Sequence, residues 1–481
     1  MAPFTAWLPA RPVQDFDLVI KIVGLGATSL FKEWQPIAQF LIERGCTVMA
    51  HQGRLDGPPS DRMCRLRIAT QQFHSMGDGC DILVHLSEPK PEFARFGLQP
   101  GSVLLCEPPT DPRRCPLLPE GVVPYHVPLS SLCHGQGEGG AGKGFAALGA
   151  LLQLLGVQED TLPRLTAVVA APRSFAAGWD YARRVLEKHD AYSLPLASTA
   201  GTKDQALLTA HQAVMAGFAA GVCECGATCS SELHESASRW ITRHAGMAGS
   251  IVSVLESAGQ PGVRAYRGPQ GRVMAMLRGN DAAMARWLED CRSPRVFVAA
   301  DLGDALRLLI AGHEFVRTGL SDGVGVLIEE PLTRRHQTVE IRSLVERIRR
   351  ERTLGLSPVD RSGQGETGAT AERDGDTEAD VGFAAWGTTQ GVVRDAVALC
   401  RGFGLRVAGF YPKQLVPFRH EEVESFAKTV GQVVLVESGE TQGYWDRLRS
   451  TFSFDPVLLT PRPGASLTPM DIFLREGLGS V

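Results

Sequence analysis

Trp386-Gly387-Thr388-Thr389-Gln390-Gly391, then Gln414-Leu415-Val416-Pro417-Phe418, then Val433-Val434-Leu435-Val436-Glu437 with Gln442-Gly443 after it, form one nearly continuous run in the C-terminal part of the chain. The apolar stretch from Val381 to Trp386 predicts a short buried strand that stops at a glycine turn. Val392, Ala396, Val397 and Cys400 then recur at helical spacing. Leu405 to Phe410 predicts a second strand, Glu421 to Thr429 a second helix and Gln432 to Glu437 a third strand. Strands joined through helices of this length imply a parallel sheet with right-handed crossovers, and sites in such sheets form at the carboxyl ends of strands. Gly387 and Glu437 stand at two such ends. The fold class is therefore α/β and multidomain.

A chain of 481 residues exceeds a single core and predicts roughly two to four domains. The formal net charge is -4, which gives no bulk attraction to nucleic acid or to an anionic membrane surface, so neither is expected as a partner. Eleven cysteines without regular spacing point to reduced thiols in the cytoplasm rather than to a disulfide framework. Met1 to Asp17 lacks a basic segment followed by an apolar core, so no secretory signal is expected. The most apolar stretch, Phe145 to Val157, falls short of the roughly 20 residues a bilayer crossing needs.

At the other end of the chain, Leu18 to Val23, Gly24-Leu25-Gly26 and the helical pattern from Trp34 to Ile42 read as strand, glycine turn and helix, the start of a Rossmann-like unit. Cys46 to Ala50, Cys64 to Ala69, Asp81 to Leu86 and Ser102 to Cys106 add strands; Gly135 to Gly144 reads as a glycine-rich loop and Phe145 to Leu155 as a helix. In a second α/β region, Asp204 to Phe218 and Asp304 to Phe315 read as helices and Val296 to Ala300 and Val324 to Glu329 as strands. Thr338 to Glu351 reads as a charged amphipathic helix. Leu354 to Asp380 has almost no large apolar side chains and cannot offset its ordering entropy, which predicts a disordered linker. The expected layout is a Rossmann-like domain over 1–195, a second domain over 202–352, a linker over 353–381 and a C-terminal domain over 382–481.

Several motifs have two readings. Gly24-x-Gly26 after a strand suits either backbone approach to a nucleotide or coenzyme A phosphate or a purely structural tight turn; the third glycine of the dinucleotide pattern is Ser29 here. Cys223, Cys225 and Cys229 could ligate zinc or an iron–sulfur centre, with His234 the nearest further donor, or could be unliganded small hydrophobes. Gly268-Pro269-Gln270-Gly271, flanked by Arg264, Arg267 and Arg272, could fork onto a carboxylate or phosphate, or be a solvated polar turn. Arg334 to Arg352, with its interspersed glutamates, reads as a solvated helix face.

Together these stretches resemble the 2-oxoacid:ferredoxin (acceptor) oxidoreductases, in particular the fused chain in which a γ domain precedes the α subunit. Trp386 to Gly391, Leu415 to Phe418 and Val434 to Glu437 match the pattern of the α subunit's second domain, while its final asparagine and Gly-Gln are altered to Ser438-Gly439 and Thr441-Gln442-Gly443. Gly24-Leu25-Gly26, Arg65-Leu66-Arg67-Ile68, Asp81-Ile82-Leu83-Val84, Leu98-Gln99-Pro100-Gly101 and Ala147-Leu148-Gly149-Ala150-Leu151 are similar to successive γ-domain segments, although two of the four glycines of the family's turn are gone from Gly24 to Ser29. The middle region resembles the pyrimidine-binding domain in divergent and shortened form. Asp204-Gln205-Ala206 stands where the family has asparagine-glutamate-alanine, and from Cys225 to Glu232 only Thr228, Ser230, Ser231 and Glu232 survive.

The resemblance implies oxidative decarboxylation of a 2-oxoacid with coenzyme A to an acyl-CoA, with electrons passing to ferredoxin. It implies thiamine diphosphate, Mg and an iron–sulfur cluster held mainly by a separate β subunit. Among the residues, it implies that Thr228 orients the substrate carboxylate, that Arg267 or Arg264 balances its charge, that Glu256 replaces the pyrimidine-contacting carboxylate, and that Gly24 and Gly26 line the cofactor turn. It places no metal ligand in this chain. The eroded centre leaves a second reading open, a non-catalytic paralogue kept as a scaffold or assembly subunit.

Overall fold

The structure is a computed structural model that describes residues 16–24, 34–54, 62–86, 96–109, 118–138 and 142–194, then 205–210, 213–214, 217, 263–268, 271–277, 291–292, 294–317, 321, 323–328 and 335–340, and finally 371–416, 418–437, 452–461 and 467–475. The chain forms two compact units, Met1–Lys203 and Asp204–Val481. No helix among the described residues is long and apolar enough to cross a membrane.

The first unit is built from strands β1 (Asp17–Val23), β2 (Thr47–Arg54), β3 (Arg62–Ala69), β4 (Cys80–His85), β5 (Leu98–Cys106) and β6 (Val123–His126), and helices α1 (Gln35–Ile42), α2 (Leu129–Cys133), α3 (Gly142–Leu154), α4 (Leu162–Thr166) and α5 (Pro172–Val185). Its strand order is β6-β5-β4-β1-β3-β2. The pairs β1 with β4, β4 with β5 and β5 with β6 are parallel, whereas β3 runs antiparallel to both β1 and β2. The Rossmann-like start is thus completed by a mixed sheet. Along β3, Cys64, Leu66 and Ile68 are buried and alternate with Arg65 and Arg67, as an antiparallel strand with one polar face requires. Arg67 spends its guanidinium on Asp17 at 2.8 Å and on the carbonyl of Ser75.

Helix α3 is buried over most of its length, Phe145, Ala146, Ala150 and Leu151 among others, and packs on α5, whose Phe175 and Trp179 are also buried. The two helices approach through glycine: a Cβ on Gly149 would overlap the carbonyl oxygen of Phe175, and one on Gly178 that of Ala146. Expected as part of a loop, Gly142, Lys143 and Gly144 instead form the first turn of α3.

The second unit carries β7 (Gln205–Thr209), β8 (Val263–Gly268), β9 (Gly271–Leu277), β10 (Pro294–Val298), α6 (Leu302–Arg317), β11 (Gly323–Ile328), β12 (Arg335–Glu340), β13 (Ala371–Gly375), β14 (Ala379–Ala385), α7 (Thr389–Gly402), β15 (Val407–Pro412), β16 (Gln414–Val416), α8 (His420–Ala427), β17 (Val430–Val436), β18 (Val457–Leu459) and α9 (Pro469–Arg475). One sheet has the order β16-β10-β11-β9-β8, with β10, β11 and β9 parallel. The other has the order β13-β15-β14-β17-β18, with β15, β14, β17 and β18 parallel, as the C-terminal run predicts. Val296, Val298 and Leu327 of the first sheet share one core with Ala384, Trp386, Phe410, Leu415 and Leu435 of the second. In that core Phe410 stacks on Phe426 with centroids 5.2 Å apart.

Three readings need correction. Gln205–Thr209 is a strand rather than the start of a helix, because it pairs antiparallel with Arg335–Glu340. For the same reason Thr338 to Glu340 belong to a strand and not to a charged helix. Ala371–Gly375, read as linker, is an edge strand on β15, held by partners far along the chain: Arg394 pairs with Glu372 and with Asp374, and the Tyr411 hydroxyl donates to Asp374 at 2.9 Å. Arg394 also lies over the Tyr411 ring at 4.2 Å. A polar strand of this kind lacks the apolar alternation that would mark it.

Candidate functional site

In the first unit the parallel strands bring four carboxyl ends together. Gly24 follows β1 with a φ of 118°, a conformation that side chains rarely adopt, and it is buried. Across the neighbouring strands the register runs Val23 to His85, His85 to Cys106 and Cys106 to His126. Register partners in parallel strands share a face, so these side chains form a row along the carboxyl edge. Cys106 Sγ lies 3.6 Å from His126 Nδ1. The next residue, Glu107, accepts from the Ser130 backbone N–H at 3.0 Å and lies 3.7 Å from Lys143 Nζ.

Such an edge can admit a ligand by backbone, since Gly24 presents no Cβ, and can offer imidazole and thiol groups beside it. The other buried thiols have no such role. Burial pushes Cys46 up to about 11, Cys80 to about 12 and Cys400 to about 11, so at neutral pH they are small neutral hydrophobes.

In the second unit, the carboxyl ends of β14 and β17 carry Gly387, with a φ of 57°, and Glu437, which is buried and whose backbone N–H donates to Leu459. Helix α7 begins between them, with Thr389 Oγ1 donating to the Trp386 carbonyl at 2.7 Å. The Gln414 to Val416 part of the C-terminal run is an edge strand for the other sheet, with Val416 opposite Val296 and Gln414 opposite Phe297. Lys413, just before it, places Nζ 2.9 Å from Asp304 Oδ2. Asp304 also accepts from the Ala300 N–H at 3.0 Å and from Arg307 at 3.1 Å. Burial alone would push this carboxyl up; Lys413 and Arg307 outweigh it and hold it below the ordinary carboxylate range.

Of the residues singled out by sequence, Gly24 sits at the carboxyl edge of the first sheet. Gly26, Thr228 and Glu256 lie outside the described residues, as do Cys223, Cys225, Cys229 and His234. Arg264 and Arg267 lie on β8, where Arg267 stands opposite Arg272 in an antiparallel pair. The row of His85, Cys106 and His126 and the Lys413 to Asp304 pair were not foreseen. Each residue is an ordinary polar interruption in its own segment, and only the strand register or the packing brings the groups together.

No protein-family model matches the chain, and no curated protein matches it. Among solved structures it is similar to a 2-oxoglutarate:ferredoxin oxidoreductase from Magnetococcus marinus, determined with 2-oxoglutarate, coenzyme A and succinyl-CoA bound, at 20% identity and a TM-score of 0.72 over 96% of this chain and 99% of that one. Shorter likenesses link it to a pyruvate oxidoreductase subunit from Thermotoga maritima, at 19% identity and a TM-score of 0.27 over 34% of this chain and 96% of that one. A keto/oxoacid ferredoxin oxidoreductase γ subunit from Geobacter sulfurreducens matches at 18% identity with a TM-score of 0.25, over 34% of this chain and 98% of that one. The chain is thus a multidomain mixed α/β protein that shares the fold of the Magnetococcus marinus chain over nearly its whole length.

Proposed function

We propose that this chain is an α-type subunit, with a γ domain fused ahead of it, of a thiamine diphosphate-dependent 2-oxoacid:ferredoxin oxidoreductase in the cytoplasm, active together with a β subunit. The observation that carries the reading is the end-to-end correspondence of fold with a chain of a 2-oxoglutarate:ferredoxin oxidoreductase determined with 2-oxoglutarate, coenzyme A and succinyl-CoA bound. The motifs of the C-terminal run support it independently. The reaction converts a 2-oxoacid and coenzyme A to an acyl-CoA and carbon dioxide, releasing two electrons and a proton; the electrons leave for ferredoxin through iron–sulfur chemistry.

In this reading the γ-type domain spans 1–195, the pyrimidine-binding-type domain 202–352 and the C-terminal domain 382–481. Gly24, buried and in a positive-φ conformation, fits the backbone approach of a phosphorylated cofactor such as coenzyme A, with Gly26 beyond it. Thr228 orients the substrate carboxylate by hydroxyl donation and Arg267 balances its charge. Glu256 takes the place of the family's pyrimidine-contacting carboxylate. Thiamine diphosphate, when bound, supplies the carbanion chemistry of decarboxylation; it, Mg and the iron–sulfur cluster belong mainly to the β subunit.

A second reading, a scaffold paralogue without catalysis, is favoured by the loss of two family glycines between Gly24 and Ser29 and by Cys225-Gly226-Ala227 in place of the family's tyrosine-proline-isoleucine. Co-purification with the product of the neighbouring reading frame, followed by coenzyme A-dependent viologen reduction with a panel of 2-oxoacids, separates the two. Turnover of at least one 2-oxoacid is expected, with kcat/KM lowered about tenfold or more in Thr228→Ala, the scale for removing one hydrogen bond to a charged group. A stable thiamine-loaded complex that turns over none of them establishes the scaffold reading instead.

A further inference from the structure

Strand β13 reads Ala-Glu-Arg-Asp-Gly, and the proposed reaction makes no use of it. At the opposite edge of the same sheet, β18 reads Val-Leu-Leu. Both are edge strands, but only β18 can hold on by apolar burial. Successive side chains of a strand point to opposite faces, and β13 meets charge or aromatic rings on each. On one face Glu372 and Asp374 both pair with Arg394, Asp374 at 3.1 Å, and Glu372 lies 3.7 Å from Lys413 Nζ. On the other, Arg373 lies over the stacked rings of Phe410 and Phe426, 5.5 and 5.6 Å from their centroids. Ala371 is the strand's one apolar contribution to the core.

The downstream end is held differently. Gly375 has a φ of 83°, and a Cβ there would overlap the Val407 carbonyl oxygen, so the bend requires glycine. Asp376 then clasps Val407 twice: its N–H donates to the Val407 carbonyl at 2.9 Å, and its carboxylate accepts from the Val407 N–H at 3.1 Å. Strand β14 begins soon after, at the buried Ala379. One end of the segment is a fixed bend, and the other is fastened by charge.

We propose that Ala371 to Asp374 form a strap that opens about Gly375 while the parallel sheet beneath it stays folded, and that ionic strength sets how often it is open. Segments with few buried apolar contacts are the ones that open locally. Partly exposed ion pairs weaken as salt shortens the screening length from about 30 Å at 0.01 M to about 3 Å at 1 M. Apolar burial is not screened, so the core of Phe383, Val407, Tyr411 and Val434 persists as the strap loosens. The Tyr411 hydroxyl keeps the open state the minor one: the residue is buried, and without Asp374, its acceptor at 2.9 Å, the hydroxyl loses a hydrogen bond. Opening also reaches the neighbouring sheet. Lys413 is shared between Glu372 at 3.7 Å and Asp304 at 2.9 Å, and release of Glu372 leaves it to Asp304 alone, in the first turn of α6. Since Asp304 also holds the Ala300 N–H just past β10, charge at one sheet edge bears on the carboxyl end of a strand in the other sheet.

Hydrogen exchange of the full-length chain alone, read by mass spectrometry on peptides covering β13, β14 and β18 in about 0.01 M and about 1 M sodium chloride, tests this. The β13 amides should exchange about fivefold faster at the higher salt, the scale for screening partly exposed pairs, while β14 and β18 change less than about twofold. Glu372→Gln should raise the β13 rate at low salt about threefold and lessen its response to salt. Arg394→Met, which removes both of that residue's pairs, should raise the rate further. A β13 rate equal to that of β14 at both salts overturns the proposal, since the strand then opens only with the whole sheet. So does a β13 rate independent of salt, or a salt response of β18 as large as that of β13. Should either variant fail to fold, the comparison of salts in the unsubstituted chain decides by itself. No partner subunit or turnover is involved, so failure here leaves the oxidoreductase reading untouched.

Discussion

Gly178→Ala is expected to destabilise the first unit by about 3 kcal/mol or more, although alanine is the better helix former by about 1 kcal/mol. The new Cβ would overlap the carbonyl oxygen of Ala146 and would lie 2.6 Å from its carbonyl carbon and 2.8 Å from its Cα. All three are backbone atoms of α3, so no side chain can rotate away and one helix must shift. A shift would open the layer in which Phe175 and Trp179 are buried. Gly149→Ala should behave alike, since its Cβ would overlap the Phe175 carbonyl and lie 3.1 Å from the Trp179 nitrogen. Gly402→Ala is the control: nothing stands within 4 Å of its Cβ, and it should stabilise by up to about 1 kcal/mol. Urea midpoints followed by far-UV circular dichroism check the series. If Gly178→Ala and Gly402→Ala move the midpoint by the same amount, α3 and α5 do not approach as closely as described.

Lys413→Met should cost about 3 kcal/mol at neutral pH, because it leaves the Asp304 carboxylate buried and without its closest cation. Arg307 remains at 3.1 Å, which keeps the loss toward the lower end of the range for breaking buried pairs. The effect depends on pH. In the native protein Asp304 has a folded-state pKa below its unfolded value of about 3.9, so the pair stabilises folding above that value, and the contribution is lost as pH falls through the folded pKa. Without Lys413 the folded pKa lies higher than in the native protein, so the variant loses less as the carboxyl protonates. The difference in urea midpoint between the two proteins should therefore be large at pH 7 and shrink below pH 4. A difference that stays constant across that interval would remove the ion pair as its cause.

The C-terminal fold was legible because apolar residues recur there with unmistakable period: Phe383, Ala384 and Ala385 in a buried strand, Val393, Ala396, Val397 and Cys400 on one face of a helix, and Val433 to Val436 in the next strand. Gly24 was legible for a similar reason, as a glycine closing an apolar strand. Ala371–Gly375 was not, because Glu372, Arg373 and Asp374 carry no apolar alternation and their strand exists through Arg394 and Tyr411. Gln205–Thr209 was misread because Ala206, Leu207 and Leu208 suit a helix as well as a strand, and the pairing with β12, more than a hundred residues later, decides between them.

What the sequence alone determined is the set of parallel-strand modules and the glycine turns that end them, since burial periodicity and the lack of a Cβ are properties of single segments. What only the tertiary structure decided is every polar constellation: the row of His85, Cys106 and His126, and the pair of Lys413 and Asp304. The reason is physical. A hydrogen bond or ion pair acts over a few ångströms between residues that can be a hundred positions apart, and a charged or hydroxyl side chain reveals its partner only when packing has removed the water that would otherwise serve.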